Sequence, residues 1–444
     1  MRSKQAKVLH RLAGKPMIGY PLSILRDLGV DPIVVVVGHQ EDAVREACAP
    51  YGVRFARQPQ PRGTGDAARM AARELKDFSG DLLLVNGDLP LLTRASFQGL
   101  IRAHQRRQAA VSLLTSEIPE PAGFGRIVRT GGAISAIVEE KDATADERAI
   151  REVNVGLYCA DAEFLFAALR RLRPSKATGE LYLTDVIAMA VRAGRPIGDA
   201  SSDPIEATQI SNRRDLSVVE RLVREQIIDH WLDSGVTIED PSSVYIGPDV
   251  EIGQDTVIGP HVSLLGDTRL GPDCRLDGSA RLVDSHLGSG VHVRFAVVMS
   301  GVKVGNDAIL GPFCHLRPGT ALGRGVHIGN FVETKQAVIG NGTKANHLAY
   351  IGDAEVGAET NIGAGTITCN YDGFRKHRTK IGDRVQVGSD TQLIAPVVVG
   401  DDAYISTGST VRQDVAPGAL YFNPKRELQR EGWVAERRRR EGKG

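Results

Sequence analysis

The stretch "YIGPDVEIGQDTVIGPHVSLLGDTRLGPDCRLDGSARL", residues 245–282, has an aliphatic side chain at every sixth position: Ile246, Ile252, Ile258, Leu264, Leu270, Leu276 and Leu282. The step resumes at Val304, Leu310, Leu316, Leu322 and Ile328, and again at Ile381, Val387, Leu393, Val399, Ile405 and Val411. Random aliphatic content does not hold phase over so many hexads. A sustained period of six is the pattern of a β-helix solenoid, whose three flat faces stack coil on coil with the aliphatic residue pointing inward. Interruptions near 287–300, 330–339 and 364–380 read as insertions or loops leaving one edge.

Working back from the repeat, "NRRDLSVVERLVREQIIDHWLDS" (212–234) places Leu216, Val219, Leu222, Val223 and Ile227 at helical spacing. Asn212 is suited to cap its start and Gly235 to end it, so 212–235 reads as a connecting helix. Residues 1–211 follow another grammar. "PIVVVVG" (32–38) and "DLLLVNGD" (81–88) are short, β-branched or aliphatic runs, expected as parallel strands buried on both faces. Helical patterns at 41–52 and 63–78 alternate with them. That alternation predicts a doubly wound α/β domain. The solenoid domain is assigned to 236–423, and 424–444 reads as a basic tail containing Arg437–Arg440.

Composition narrows the function classes. The 444 residues include 55 basic and 54 acidic side chains, and that balance gives no general attraction to nucleic acid. Five cysteines are dispersed without a C-x-x-C pair, which points to free thiols in a reducing compartment. No run of about 18 apolar residues is present, so the expectation is a cytoplasmic protein without membrane insertion.

Two constellations carry chemistry. At the carboxyl end of the 81–88 run, Asn86-Gly87-Asp88 sits where ligands bind in open α/β sheets. Asp88 can hold Mg²⁺ against a nucleotide phosphate, and Gly87 allows close backbone approach. Gly63-Thr64-Gly65 precedes a helix and can offer backbone amides to a base or phosphate. "AGFGRIV" (122–128), "IVEEKDA" (137–143) and "EVNVGLY" (152–158) add Gly125, Glu139 and Asn154.

In the solenoid, residues 316–376 gather Arg317, Glu333, Lys335, His347, Tyr350, Asn361, Asn370, Tyr371 and Lys376. This set suits amine acylation. A sugar ammonium must lose a proton before it attacks a thioester, and a neutral histidine is a suitable base. Arg317 and Lys335 can hold a sugar phosphate, and amides can stabilise the oxyanion.

Taken in order, "KVLHRLAGKPM" (7–17), Gln58 with Gly63-Thr64-Gly65, "NGD", "FGRI", "VEEKDA", "EVNVG" and "GELYLTD" (179–185) resemble the sugar-1-phosphate nucleotidyltransferases. More narrowly they resemble the bifunctional N-acetylglucosamine-1-phosphate uridyltransferase / glucosamine-1-phosphate acetyltransferase family. "NIGAGTITCNYDG" (361–373) and "VGSDTQLIAPV" (387–397) resemble its acetyltransferase half. The likeness implies a Rossmann-like nucleotidyltransferase domain joined to a left-handed parallel β-helix of hexapeptide repeats, assembled as a homotrimer through the β-helix. It implies Lys7 at phosphate, Gln58, Gly63 and Thr64 at uracil, and Asn86, Gly87 and Asp88 at the nucleotide and Mg²⁺. Gly125, Glu139 and Asn154 would contact the amino sugar. It implies His347 as the base, with Arg317, Lys335, Tyr350, Asn361 and Lys376 on the amino-sugar phosphate. Ala364, Asn370, Tyr371, Ser389 and Thr407 would line the acetyl-coenzyme A channel. The implied product of UTP, acetyl-coenzyme A and glucosamine-1-phosphate is UDP-N-acetylglucosamine.

Three departures stand against the family pattern. A strand and an L-x-x-G-x-G-T-x-M loop usually precede "KVLH", and Met1 aligns with the closing methionine. Either the start is assigned too late, the preferred reading, or half a phosphate site is absent. Ser211 occupies the register of the family's second Mg²⁺ ligand, leaving Asn212 as the substitute. Pro424 stands at an arginine position near coenzyme A, leaving Lys425 or Arg426 to supply the charge. Uridyl transfer is accordingly expected to be impaired, and the alternative reading is an acetyltransferase with an inactive nucleotidyltransferase lobe.

Overall fold

In a computed structural model, residues 1–175, 177–424 and 427–442 are described. Lys425 and Arg426, the two candidates for a coenzyme A contact, lie outside them. The chain divides into two compact units, Met1–Gln226 and Ile227–Gly444.

The first unit is α/β. Its strands are β1 (Val34–Val37), β2 (Arg54–Arg57), β3 (Asp81–Val85), β4 (Val111–Glu117), β5 (Arg126–Thr130), β6 (Ala133–Val138), β7 (Glu152–Asp161) and β8 (Ile197–Ser201). Helices α1 (Gly19–Asp27), α2 (Glu41–Cys48), α3 (Thr64–Glu74), α4 (Arg94–Arg107), α5 (Ala162–Arg171) and α6 (Asp185–Arg192) alternate with them. The main sheet runs β8-β4-β7-β5-β6, with β3 on β7. Parallel pairing joins β1 to β2 in a separate two-stranded sheet, and β8 to β4.

The run 81–88 was expected as a parallel strand buried on both faces, and the structure corrects this. Among the described residues the one ladder of β3 is antiparallel, with β7, and most of the strand is half-buried. Its other edge borders an apolar cleft of about 660 Å³ that also reaches β1, with Val35, Val37, Leu83, Val85, Ala68 and Ala72 among the lining. A hydrophobic run alone does not distinguish parallel from antiparallel partners.

Helix α7 (Arg213–Asp233) follows. Asn212 Oδ1 accepts from the backbone N–H groups of Arg214 and Asp215 at 2.7 and 3.1 Å, satisfying two orphan donors of its first turn.

The second unit is a left-handed β-helix. Strands of mostly two or three residues stack in parallel, as in Ile246 on Leu264 and Leu264 on Leu282. The hexad side chains form one continuous core, with Leu264, Leu282, Leu310 and Leu316 fully buried. Each such burial contributes about 1.5–3 kcal/mol, which is why the period fixes the fold.

Two of the three expected loops are corrected. Across 287–300 and 330–339 the wall is continuous, and the phase shifts because single hexads are one residue short. Buried positions run Leu282, Leu287, Val293, Met299, Val304, and later Thr334, Ile339, Ala345, Ile351, Val356. Of the three interruptions, the one at 364–380 holds a departure from the wall, beginning beyond Thr368 as an excursion closed by a bridge between Tyr371 and Lys376 and tipped by the exposed Phe374.

Corners of the prism need left-handed backbone, supplied mainly by Gly and by Asp255, Asp273, Asp307, Asp353, Asp390 and Asp402. One corner differs. Phe313, Phe331 and Leu348 take φ of 55°, 57° and 45° there, and Phe295 precedes the corner residue Ala296. Their side chains are 47–61% exposed, and Phe313 meets Phe295 edge-to-face at 5.8 Å and stacks on Phe331 at 5.5 Å. Beyond the wall, α8 (Trp433–Arg440) carries the arginine run.

Candidate active sites in the two units

In the first unit, Lys7 sits in a single 3₁₀ turn and reaches across to the loop after β3, where its Nζ lies 2.6 Å from Asp88 Oδ2. The Asp88 side chain is 31% exposed, so the carboxylate remains open to a ligand. Asn86 N donates to the carbonyl of Gly156, which tethers this loop to β7.

Gly63 takes φ +100°, and a Cβ there would sit 2.5 Å from the Leu181 carbonyl oxygen. Only glycine fits that turn. The turn opens α3 and places Thr64 Oγ1 to accept from Leu183 N at 3.1 Å. Gln58 Nε2 donates to Asp66 Oδ2 at 2.9 Å and to the Gly63 carbonyl at 3.3 Å, so its orientation is fixed.

Across the sheet, Asn154 N donates to the Gly125 carbonyl, and Asn154 Nδ2 donates to Tyr158 Oη at 2.6 Å. Glu139 lies beside Gly125 and accepts from Thr184 Oγ1 at 2.8 Å. Burial holds the Glu139 carboxyl above the usual range, and Asp185, Asp142 and Glu180 add to that against the Thr184 hydrogen bond. Three small groups are thus assembled: Lys7 with Asp88, Gln58 with Gly63 and Thr64, and Gly125 with Glu139 and Asn154. Asn212 shares no hydrogen bond with Asp88, since its oxygen is committed to α7.

In the second unit, stacking register decides who meets whom. Asn330 pairs with His347. Carrying the ladders Ala345–Ile362, Ile362–Val387 and Val387–Ile405 two residues further sets His347, Ala364, Ser389 and Thr407 in one column. The hydrogen bonds Asp390 N to Ala364 O and Gly408 N to Ser389 O follow that column. His347 is exposed and ends its strand. Asn361 stacks on Lys344, three residues back along the strand and one coil on.

Around the corner marked by Leu348 lies the cationic group. Glu333 and Lys335 stack on Tyr350 and Gly352. Arg317 Nη1 donates to Glu333 Oε1 at 2.7 Å. Lys335 is held below its ordinary pKa, first by contact with Lys376 and then by the charges of Lys376 and Arg317. Lys376 comes from the excursion, whose base is fastened by Asn370 Nδ2 donating to Asp353 and by His377 N donating to the Asn370 carbonyl. Asp372 is lowered to about 2 by the backbone N–H of Arg375, by His377 and by the N–H of Phe374, which folds the tip on itself. Tyr371 is 60% exposed on that excursion.

Sequence reasoning assigned no role to Thr184, Asp353 or Asp372. Thr184 lies within "GELYLTD" and Asp372 within "NIGAGTITCNYDG", whereas Asp353 stands 17 residues from the Asn370 that it holds.

Residues 1–154 match the MobA-like NTP transferase domain. Residues 301–336 and 378–413 match the six-repeat bacterial transferase hexapeptide. The chain is 44% identical over 441 residues to the "Bifunctional protein GlmU" of Trichlorobacter lovleyi, covering 99% of this chain and 96% of that protein. The protein so named from Anaeromyxobacter dehalogenans is 46% identical over 442 residues, covering 98% and 90%. That from Heliobacterium modesticaldum is 42% identical over 439 residues, covering 98% and 95%.

Proposed function

Because the chain belongs to the family of bifunctional GlmU proteins, we propose that it performs two successive transfers, each in its own unit. In the β-helix, glucosamine-1-phosphate is acetylated from acetyl-coenzyme A. In the α/β unit, the resulting N-acetylglucosamine-1-phosphate takes UMP from UTP, giving UDP-N-acetylglucosamine and pyrophosphate. The observation that carries this reading is the single column of His347, Ala364, Ser389 and Thr407 beside the cations Arg317, Lys335 and Lys376.

In the acetyl step, His347 takes the proton of the sugar ammonium. The freed amine attacks the thioester carbonyl, the carbon–sulfur bond breaks, and coenzyme A leaves as the thiol. Arg317, Lys335 and Lys376 hold the sugar phosphate, with Tyr350 and Asn361 on the sugar. The column above His347, with Asn370 and Tyr371, lines the pantetheine path.

In the uridyl step, a phosphate oxygen of the sugar attacks the α-phosphorus and pyrophosphate departs. Lys7 releases Asp88 and turns to phosphate. Gln58, Gly63 and Thr64 hold uracil, and Glu139 and Asn154 with Gly125 hold the acetamido sugar. An open carboxylate facing a triphosphate is the ligand set that Mg²⁺ favours, so Asp88 fits as its protein ligand. When bound, Mg²⁺ supplies neutralisation of phosphate charge. Asn212 would have to leave its helix cap to join.

The exposed Phe295, Phe313, Phe331 and Leu348 ridge supports a homotrimer. Bulky left-handed residues cost on the order of 1–3 kcal/mol each, which burial against neighbouring copies offsets. The ridge lies between the His347 column and the cations, so neighbouring subunits complete the pocket. The five free thiols fit a cytoplasmic setting. No helix among the described residues is long and apolar enough to cross a membrane.

Coupled assays of both half-reactions on the purified chain test the whole reading. Acetyl transfer alone would leave the nucleotidyltransferase lobe without its proposed role. Phe313→Asp/Phe331→Asp is expected to yield monomers in analytical ultracentrifugation and to lose acetyl transfer. A persisting trimer refutes the ridge as its seam. Sulfate, a stand-in for the sugar phosphate, is expected to raise the melting temperature of the β-helix. Because the Lys335 pKa is lowered, that gain is full below it and fades as pH rises through it. Lys335→Ala/Lys376→Ala should flatten the response at constant ionic strength.

A further inference from the structure

At the foot of the α/β sheet stands a group that neither transfer uses. Asp81 opens β3, and β3 pairs Leu83 with Cys159 of β7. Alternate residues of a strand share a face, so Asp81 and Cys159 are diagonal neighbours on one face. His104, in the last turn of α4, reaches the same place. Its Nε2 lies 3.2 Å from Asp81 Oδ1 and its Nδ1 lies 2.9 Å from Ser112 Oγ. One ligand atom each from Asp81, His104 and Cys159 falls within 4.8 Å of the other two. His104 and Cys159 are 2% and 1% exposed, whereas the Asp81 side chain is 44% exposed and offers an entry from solvent. From Asp81 to the Asn86-Gly87-Asp88 loop, β3 spans about 16 Å, so this group is remote from the nucleotide end.

We propose that Asp81, His104 and Cys159 form a binding site for a divalent cation of the zinc class, with water completing the coordination.

Thiolate, imidazole and carboxylate together are the donor mixture that suits zinc rather than magnesium or calcium. Charge also balances: a dication with one thiolate and one carboxylate is neutral, which a largely buried pocket tolerates. Without metal, burial pushes the Cys159 thiol up to about 12 and Asp81 adds to it, so the thiolate needs a cation beside it. Binding displaces the Cys159 proton to solvent. In the bound site Nε2 of the imidazole would give its lone pair to the metal, and Nδ1–H would donate to Ser112 Oγ. That hydroxyl is then the outer hydrogen bond that orients a ligating histidine.

The test uses the full chain, stripped of metal by chelator, with Cd²⁺ and Zn²⁺ alone as probes. One Cd²⁺ per chain is expected to bind with the ultraviolet charge-transfer band of a cadmium–thiolate bond. Zn²⁺ should compete for it, and one proton should be released. Cys159→Ser should abolish the band, while Cys48→Ser keeps it. Asp81→Asn, which alters a partly exposed side chain, should weaken Zn²⁺ at least tenfold with the fold intact by circular dichroism. The proposal is overturned by absence of a stoichiometric thiolate band, by a band that survives Cys159→Ser, or by unchanged affinity in Asp81→Asn.

Discussion

His347→Ala is expected to lower acetyl transfer by roughly 10²–10⁴-fold, the usual contribution of a positioned general base. The side chain is exposed at a strand end, so its removal opens no cavity and the β-helix should keep its melting temperature. Uridyl transfer, measured on supplied N-acetylglucosamine-1-phosphate, should not change. Separate assays with free coenzyme A thiol and with pyrophosphate as readouts decide it. A parallel fall in both rates would remove the assignment of one chemistry to each unit, and retention of acetyl transfer would remove His347 as base.

Asp88→Asn is expected to have the mirror effect. It keeps the shape of the side chain and removes the charge that faces the triphosphate, and losses on the order of 10²–10³-fold follow removal of such preorganised electrostatics. The same change frees Lys7 from its 2.6 Å partner. Affinity for UTP without Mg²⁺ should therefore hold or improve, while turnover with Mg²⁺ falls. Acetyl transfer should be untouched. Full uridyl turnover in this variant would mean that the metal is held elsewhere.

Most of the β-helix was legible because its signal is local and repeated. Each hexad states again that one side chain in six faces inward. What escaped was the meaning of the interruptions. A five-residue step such as Leu282 to Leu287 breaks the period in sequence yet leaves the wall whole, because coils stack by strand register rather than by residue count. Phe313 and Phe331 escaped for a related reason. An aromatic in an apolar repeat reads as core, and only the backbone angle reveals that these two stand outside at a corner.

In the α/β unit, the groups lying close in sequence were readable and the supporting shell was not. Gln58 and Gly63 are five residues apart and turn toward each other through a single loop. Glu139 meets Thr184 across 45 residues, a pairing fixed by packing rather than by any short motif. Asn212 shows the limit of residue type as evidence. The same carboxamide oxygen that can ligate a metal also caps a helix, and the cap is what the local chain geometry selects.

The cleft between β1 and β3 bears on how the molecule yields under stress. Among the described residues no strand pairs with the cleft-facing borders of β1 and β3, so the lobe that contains them has a lower opening threshold than the stacked coils. Those amide protons of Val34–Val37 and Asp81–Val85 that face the cleft should be among the first to trade with solvent, and chain–chain adhesion on heating should begin at those borders.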